Sequence, residues 1–409
     1  VSDDHDLGLF DEESGGKRSK SSRKEETTQD PAARRRKRMI VLIGGAVMLM
    51  VVAAGAVYGI RQIMSIGGYE DFEGEGSGSV VIEVADGASL GQIAQSMSDE
   101  GVIASARAFT TAAESNPAAT GIQPGFYLLR SEMSGEAALN RILDEEARLG
   151  QADVQGGMLL HDTMAGDGSV QSKGIITILA EASCAELDGV EQCVSVDELW
   201  DVAENADLAE LGVPSWAFDG AEAAPEPRRR LEGLIAPGLY HLNPSWSAEE
   251  LMANVLSTSA TRLQAAGMPG ISDDSGFTPY EFLIVASLVE KEGIQSDFPS
   301  IATVLFNRLR VDERLQLDST VNYFAGTGSI RTEGNVRAID NPYNTYVRYG
   351  LPPTPVSSPH TPALQGTASP TDEEWMYFVK CETDGTSCFN LTYEEHQADV
   401  ADAQARDVW

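Results

Sequence analysis

Thr278-Pro-Tyr-Glu-Phe-Leu-Ile-Val-Ala-Ser-Leu-Val-Glu-Lys-Glu-Gly293 reads as a helix with both ends written into the sequence. Thr278 can cap the first turn, Pro279 takes the first helical position, where its missing N–H costs nothing, and Glu281 completes a capping box. Gly293 supplies the stop. Between them Phe282, Leu283, Val285, Ala286 and Val289 leave little polar surface, so the segment is expected to be a core helix. Glu290 sits one turn past Ala286 at the end of the buried body, and Glu292 points roughly opposite. A carboxyl at that place loses hydration and faces the negative end of the helix dipole. Both effects favour the protonated form, which suits a general acid. The bland alternative is a solvated surface charge.

The residues that follow extend the pattern. Pro299 starts a second helix with Ala302, Leu305, Phe306 and Leu309 as its apolar stripe and Asn307-Arg308 within it. In Arg314-Leu-Gln-Leu-Asp-Ser-Thr-Val-Asn-Tyr323, Asp318 or Ser319 can cap a further short helix. Asn341-Pro-Tyr-Asn-Thr-Tyr346 then leads through Gly350-Leu-Pro-Pro353 to Pro362. Loops rich in Pro, Tyr and Asn suit a groove for a sugar polymer, because aromatic faces stack on pyranose rings and amides bond to hydroxyls and acetamides. They also serve simply to stiffen a loop.

Upstream, Val80-Val-Ile-Glu-Val84 reads as a strand, and Ser89 caps a helix carrying Leu90, Ile93, Ala94 and Met97. Gln123-Pro-Gly-Phe-Tyr-Leu-Leu129 is echoed 113 residues later by Ala236-Pro-Gly-Leu-Tyr-His-Leu242, and the same offset relates Ser134 to Ser247 and Ile142 to Val255. Each copy reads as turn, strand and serine-capped helix, a duplicated unit in an α+β protein. Residues 147–176, rich in Gly, Asp, Met and Gln, read as a loop or insertion.

At the N-terminus, residues 1–38 are polar and charged and read as disordered. Met39 to Ile60 is a run of 22 residues without a charged side chain, preceded by Arg34-Arg-Arg-Lys-Arg38. That length spans a bilayer as a helix, and the basic flank places residues 1–38 in the cytoplasm and the remainder outside. A cleaved signal peptide is the competing reading, disfavoured by the length of the apolar run. Residues 61–78 read as a flexible linker. The formal charge of −34 lacks the electrostatic footprint of a nucleic-acid binder. Cys184 with Cys193 and Cys381 with Cys388 read as two local disulfides in an exterior compartment, with free thiols or a metal site as alternatives; neither pair has CxxC spacing. Five scattered histidines, with no HExxH, P-loop or nucleophile elbow, call for no metal or cofactor.

A set of motifs in fixed order resembles the endolytic murein transglycosylases, the YceG-like family. These are Leu231-Glu-Gly233 with Pro237 and Tyr240, Ala286-Ser-Leu-Val-Glu-Lys-Glu292, Val304-Leu-Phe-Asn-Arg-Leu309, Leu315-Gln-Leu-Asp-Ser-Thr-Val321, Pro342-Tyr-Asn-Thr-Tyr346 and Gly350-Leu-Pro-Pro353, with Phe378-Val379 and Glu395-His396 beyond. The resemblance covers most of residues 79–409. It implies a membrane-anchored enzyme with a LysM-like module over 79–146 and a mixed α+β catalytic domain over 177–409. It further implies cleavage of the β-1,4 bond between N-acetylmuramic acid and N-acetylglucosamine in nascent peptidoglycan strands, leaving 1,6-anhydro ends and helping to terminate glycan elongation, in partnership with peptidoglycan synthases. Carried over, the catalytic glutamate falls on Glu290, with Glu292 as the fallback. Asn307, Gln316, Asp318, Tyr343, Asn344 and Tyr346 are candidates for shaping the cleft. The chain departs from the family's pattern at Pro237-Gly-Leu-Tyr240 (Pro-Asp-Thr-Tyr), Lys291-Glu-Gly293 (Lys-Glu-Thr), Ser358-Pro-His360 (Asn-Pro-Gly) and Ser387, where a histidine is expected. A muramidase delivering water and a non-catalytic wall-binding scaffold are the rival readings.

Overall fold

In the computed structural model the described residues are 68–326 and 336–408. Residues 1–38, read as a cytoplasmic tail, and the apolar run Met39–Ile60 lie outside them, and among the described residues no helix is long and apolar enough to cross a membrane. The architecture is mixed α+β.

The first folded unit begins earlier than the sequence suggests. Strand Glu75–Val84 already includes most of the glycine-rich stretch read as linker, and its partner Gly125–Met133 runs antiparallel, with Glu75 opposite Met133 and Val84 opposite Gly125. The glycines are the reason for the misreading: Gly76 and Gly78 take positive φ, and a Cβ on Gly76 would sit 2.3 Å from the Ser131 carbonyl. Helices Leu90–Asp99 and Ala106–Glu114 lie between these strands in sequence, both serine-capped. Ile82, Met97, Phe109, Leu129 and Leu139 pack as a small core of their own.

The duplication is real in three dimensions. Gly125 and Gly238 share φ near +137° (138° and 136°), and the following strands lead to helices capped by Ser134 and Ser247. In each copy the tyrosine hydroxyl donates to the carbonyl four residues back, Tyr127 to Gln123 and Tyr240 to Ala236. The segment read as a loop or insertion joins the two copies. Arg148–Leu149 pairs with the first repeat strand, and Gln151–Val154 pairs with the second, Gly238–His241. Between them Gly150 has φ +63°, and a Cβ there would fall 1.8 Å from the Leu242 carbonyl oxygen. Two strands of two and four residues are too short to announce themselves by composition, although Ala152 and Val154 are buried while Gln151 and Asp153 are exposed. The same segment also holds the hairpin Thr163–Met164 with Val170–Ser172 and the start of helix Ile175–Ala182.

The larger core surrounds the central helix Pro279–Glu292, in which every residue from Phe282 to Val289 is buried. A helix apolar on all sides needs partners on all sides. Here Phe298–Arg310, Asp318–Ala325 and Thr361–Ala368 supply them, with Phe298, Ile301, Tyr323 and Ala363 in the same cluster. The capping box at Thr278 forms as read. Gly293 ends the helix for a different reason from the one expected: its backbone is extended rather than left-handed, and a Cβ would meet Ile301 Cδ1 at 2.3 Å. Both cysteine pairs are disulfides, Cys184–Cys193 and Cys381–Cys388.

Candidate active site

The last turn of the central helix presents two carboxyls to two different environments. At about 100° per residue, side chains two positions apart point to nearly opposite sides.

Glu290 faces inward against a wall of backbone. One of its oxygens accepts the amide of His360 at 3.1 Å and also contacts His360 Nδ1. Its side chain is 9% exposed. Gly156 lies so close that a Cβ would stand 2.7 Å from the other Glu290 oxygen. The Gln155–Met158 turn is laced to the His360 segment by Gly157 N–H to Ser358 O (2.8 Å) and Ser358 N–H to Met158 O (2.9 Å), and Lys291 donates to the Gly157 carbonyl at 3.2 Å.

Glu292 faces helix Asp318–Ala325 and accepts a hydrogen bond from the Ser319 hydroxyl. Burial pushes its carboxyl up to about 7, Asp318 adds in the same direction, and Ser319 and Lys291 oppose it. The sequence offers Asp318 or Ser319 as the helix cap, but the cap position is Leu317, both residues lie within the helix, and the Asp318 carboxylate is used elsewhere. It takes a two-pronged bond from Arg337 (2.8 and 2.6 Å) and the Tyr346 hydroxyl at 2.8 Å.

The cleft candidates therefore divide. Asp318 and Tyr346 gather on the Glu292 side. Gln316 stands two residues away, exposed, at φ +56°, with its side-chain Oε1 accepting from Arg308 at 2.6 Å. Asn344 is buried and positions the group from behind: its amide donates to the Arg337 and Ile339 carbonyls, and its oxygen accepts the Tyr346 N–H. Tyr343 is fully buried, its hydroxyl on Thr354. Asn307 ties its helix to the carbonyls of Glu373 and Trp375. Those two hold loops in place and are not brought to either carboxyl.

Three participants escaped the sequence reading. Arg337 comes from the short 3-10 turn Val336–Ala338 and carried no signal. His360 was visible only as a departure from the family pattern. Glu232, within the Leu231-Glu-Gly233 motif, is 1% exposed, accepts the Leu160 N–H and the Tyr323 hydroxyl at 3.1 Å each, and is pushed up to about 7 by burial. The Arg229 guanidinium lies over the Tyr323 and Tyr343 rings beside it.

A cavity of about 1000 Å³, lined by Trp216, Phe277, Tyr280, Phe306 and Leu351, opens at the other end of the central helix. Ten residues of helix, roughly 15 Å, separate Tyr280 from Glu290, so this space belongs to neither carboxyl.

A family model described as YceG-like matches residues 82–402. The chain belongs to the YceG-like family. An endolytic murein transglycosylase of Streptococcus pneumoniae serotype 2 is 28% identical over 338 residues, 79% of this chain and 58% of its own length. One from Bacillus subtilis is 25% identical over 333 residues, 80% of this chain and 85% of its own. The YceG-like chain described here thus spans little more than half of its pneumococcal relative. A crystal structure of a YceG-like protein from Listeria monocytogenes aligns with 79% of this chain and 99% of its own, at 23% identity and a TM-score of 0.49. The YceG-like match runs from within the first strand into helix Tyr393–Ala405, so it includes both repeat copies, the bridge between them and both carboxyl environments.

Proposed function

We propose that this chain is a murein lytic transglycosylase whose acid–base group is Glu292. The sequence ranked Glu290 first; the surroundings of the two carboxyls support the reverse order. The observation that carries this is the setting of Glu292, hydrogen-bonded by the Ser319 hydroxyl beside the Asp318–Tyr346 pair, with burial raising its carboxyl to about 7. Glu290, by contrast, has one oxygen engaged twice by His360 and the other against Gly156.

Protonated Glu292 gives its proton to the glycosidic oxygen between N-acetylmuramic acid and N-acetylglucosamine as the C1–O bond breaks. Positive charge builds at C1 and the ring oxygen, and the Asp318 carboxylate, fixed by Arg337, lies nearby to stabilise it. The Glu292 carboxylate then takes the proton of the muramyl 6-hydroxyl while that oxygen bonds to C1. The 1,6-anhydro end forms, and Glu292 is protonated again, so one group serves in both steps. Asp318 beside Glu292 also favours a second reading, a muramidase in which water replaces the 6-hydroxyl.

In the same proposal Met39–Ile60 anchors the chain with residues 1–38 in the cytoplasm. The βααβ unit is the LysM-like module, and it holds nascent strands beside peptidoglycan synthases. Incubating the full chain with un-crosslinked strands and reading the new ends by mass spectrometry tests the chemistry, with Glu292→Gln and Glu290→Gln alongside. Anhydro ends lost only with Glu292→Gln support the assignment. Reducing ends favour the muramidase, loss with Glu290→Gln alone restores the other order, and no cleavage by wild type leaves a binding scaffold.

A further inference from the structure

The hairpin Tyr377–Lys380 with Ser387–Asn390 and the helix Tyr393–Ala405 carry an aromatic group that the proposed chemistry leaves unused. The Tyr377 and His396 rings stack, with centroids 5.5 Å apart and planes 24° from parallel. Tyr393 leans on both, at 5.8 and 6.3 Å, and is 56% exposed. One exposed tyrosine needs no explanation. Three rings gathered around an open face form a surface to which an apolar ring face can be added.

Arg308 connects this surface to the cleft. Itself buried, it donates to the Met376 carbonyl at 2.9 Å and to Gln316 Oε1 at 2.6 Å, and its guanidinium lies over the Tyr377 ring at 5.2 Å. Two residues beyond Gln316 is Asp318, and two residues of chain reach at most about 7 Å. The aromatic group is therefore linked to the segment carrying Asp318 through Arg308 and the exposed Gln316.

We propose that Tyr377, Tyr393 and His396 form a ring-stacking subsite for one N-acetylhexosamine unit of the glycan strand, with Gln316 donating to a sugar oxygen between it and the point of cleavage. This rests on the murein reading above. A β-linked pyranose presents an apolar C–H face, which packs on aromatic rings, while its hydroxyl and acetamide edges take hydrogen bonds from amides. As a site for a further unit of the strand, the subsite favours strands over a disaccharide bound at Glu292 alone.

The test uses the full chain carrying Glu292→Gln, so that binding is read without turnover. Un-crosslinked glycan strands and the free murein disaccharide are titrated separately against this parent and against Tyr393→Ala and Tyr393→Trp in the same background. Tyr393→Ala is expected to weaken strand affinity roughly three- to tenfold while leaving the disaccharide unchanged, and Tyr393→Trp to restore it. Equal strand affinity for parent and Tyr393→Ala overturns the subsite, as does a tryptophan variant no better than alanine. If the murein reading itself fails, the parent binds no strands and wild type yields no anhydro ends, and both proposals fall together.

Discussion

The backbone N–H and the imidazole of His360 close on the same oxygen of Glu290, so the start of helix Thr361–Ala368 is fastened to the end of the central helix. In the family pattern this position of the Asn-Pro-Gly motif has no side chain. The His360 imidazole gives Glu290 a partner that a glycine cannot supply.

His360→Gly keeps the backbone bond and removes the imidazole. It should lower stability by about 1 kcal/mol, because the remaining Glu290 oxygen contacts stay in place. Denaturant titration checks the loss. Cleavage of glycan strands should persist within a few-fold, whereas an abolished reaction would place His360 and Glu290 in the chemistry.

The proposed cleavage by Glu292 requires its protonated form, and burial raises its carboxyl from 4.5 to about 7. The rate should therefore fall as pH rises through about 7, and a pH–rate profile on un-crosslinked strands measures it. A profile flat from pH 6 to 8 would falsify the assignment.

Glu232 is raised from 4.5 to about 7 with no solvent contact to soften the effect. The folded state holds this proton more tightly than the unfolded chain. Its contribution is therefore fully present below about 4.5 and is lost as pH rises through about 7. Glu232→Gln should stabilise the protein at pH 8 by up to about 3 kcal/mol and by much less at pH 4.5. Urea denaturation at the two values gives the comparison, and an unchanged or lowered midpoint at pH 8 would refute it.

Gly150→Ala places a methyl group 1.8 Å from the Leu242 carbonyl at a φ of +63°. Relief requires either repeat strand to leave the bridge. A loss of roughly 3 kcal/mol or more is expected, with hydrogen exchange rising first across 148–154 and 238–241. A thermal midpoint equal to wild type would mean that the bridge yields without consequence.

The central helix was legible because its determinants are local: a threonine cap, a proline at the first position and an apolar body. The repeat was legible because two copies carry the same turn and cap. The site was harder. Nothing within three residues of Glu290 or Glu292 tells which one is held by His360 and which by Ser319, since those partners arrive from 70 and 27 positions away. Arg337 reaches Asp318 through a loop folded by Asn344, a long-range arrangement without periodicity. Gly293 shows the same limit in reverse: the residue was read correctly as a stop, but its cause is Ile301 from the next helix.

The bridging segment has one more consequence. Val154 ends its pairing with the second repeat copy, and two residues later Gly156 is against Glu290. The repeat junction and the wall behind Glu290 thus lie a few residues apart on one short segment, so a change in the pairing of Val154 falls next to the end of the helix that carries both carboxyls.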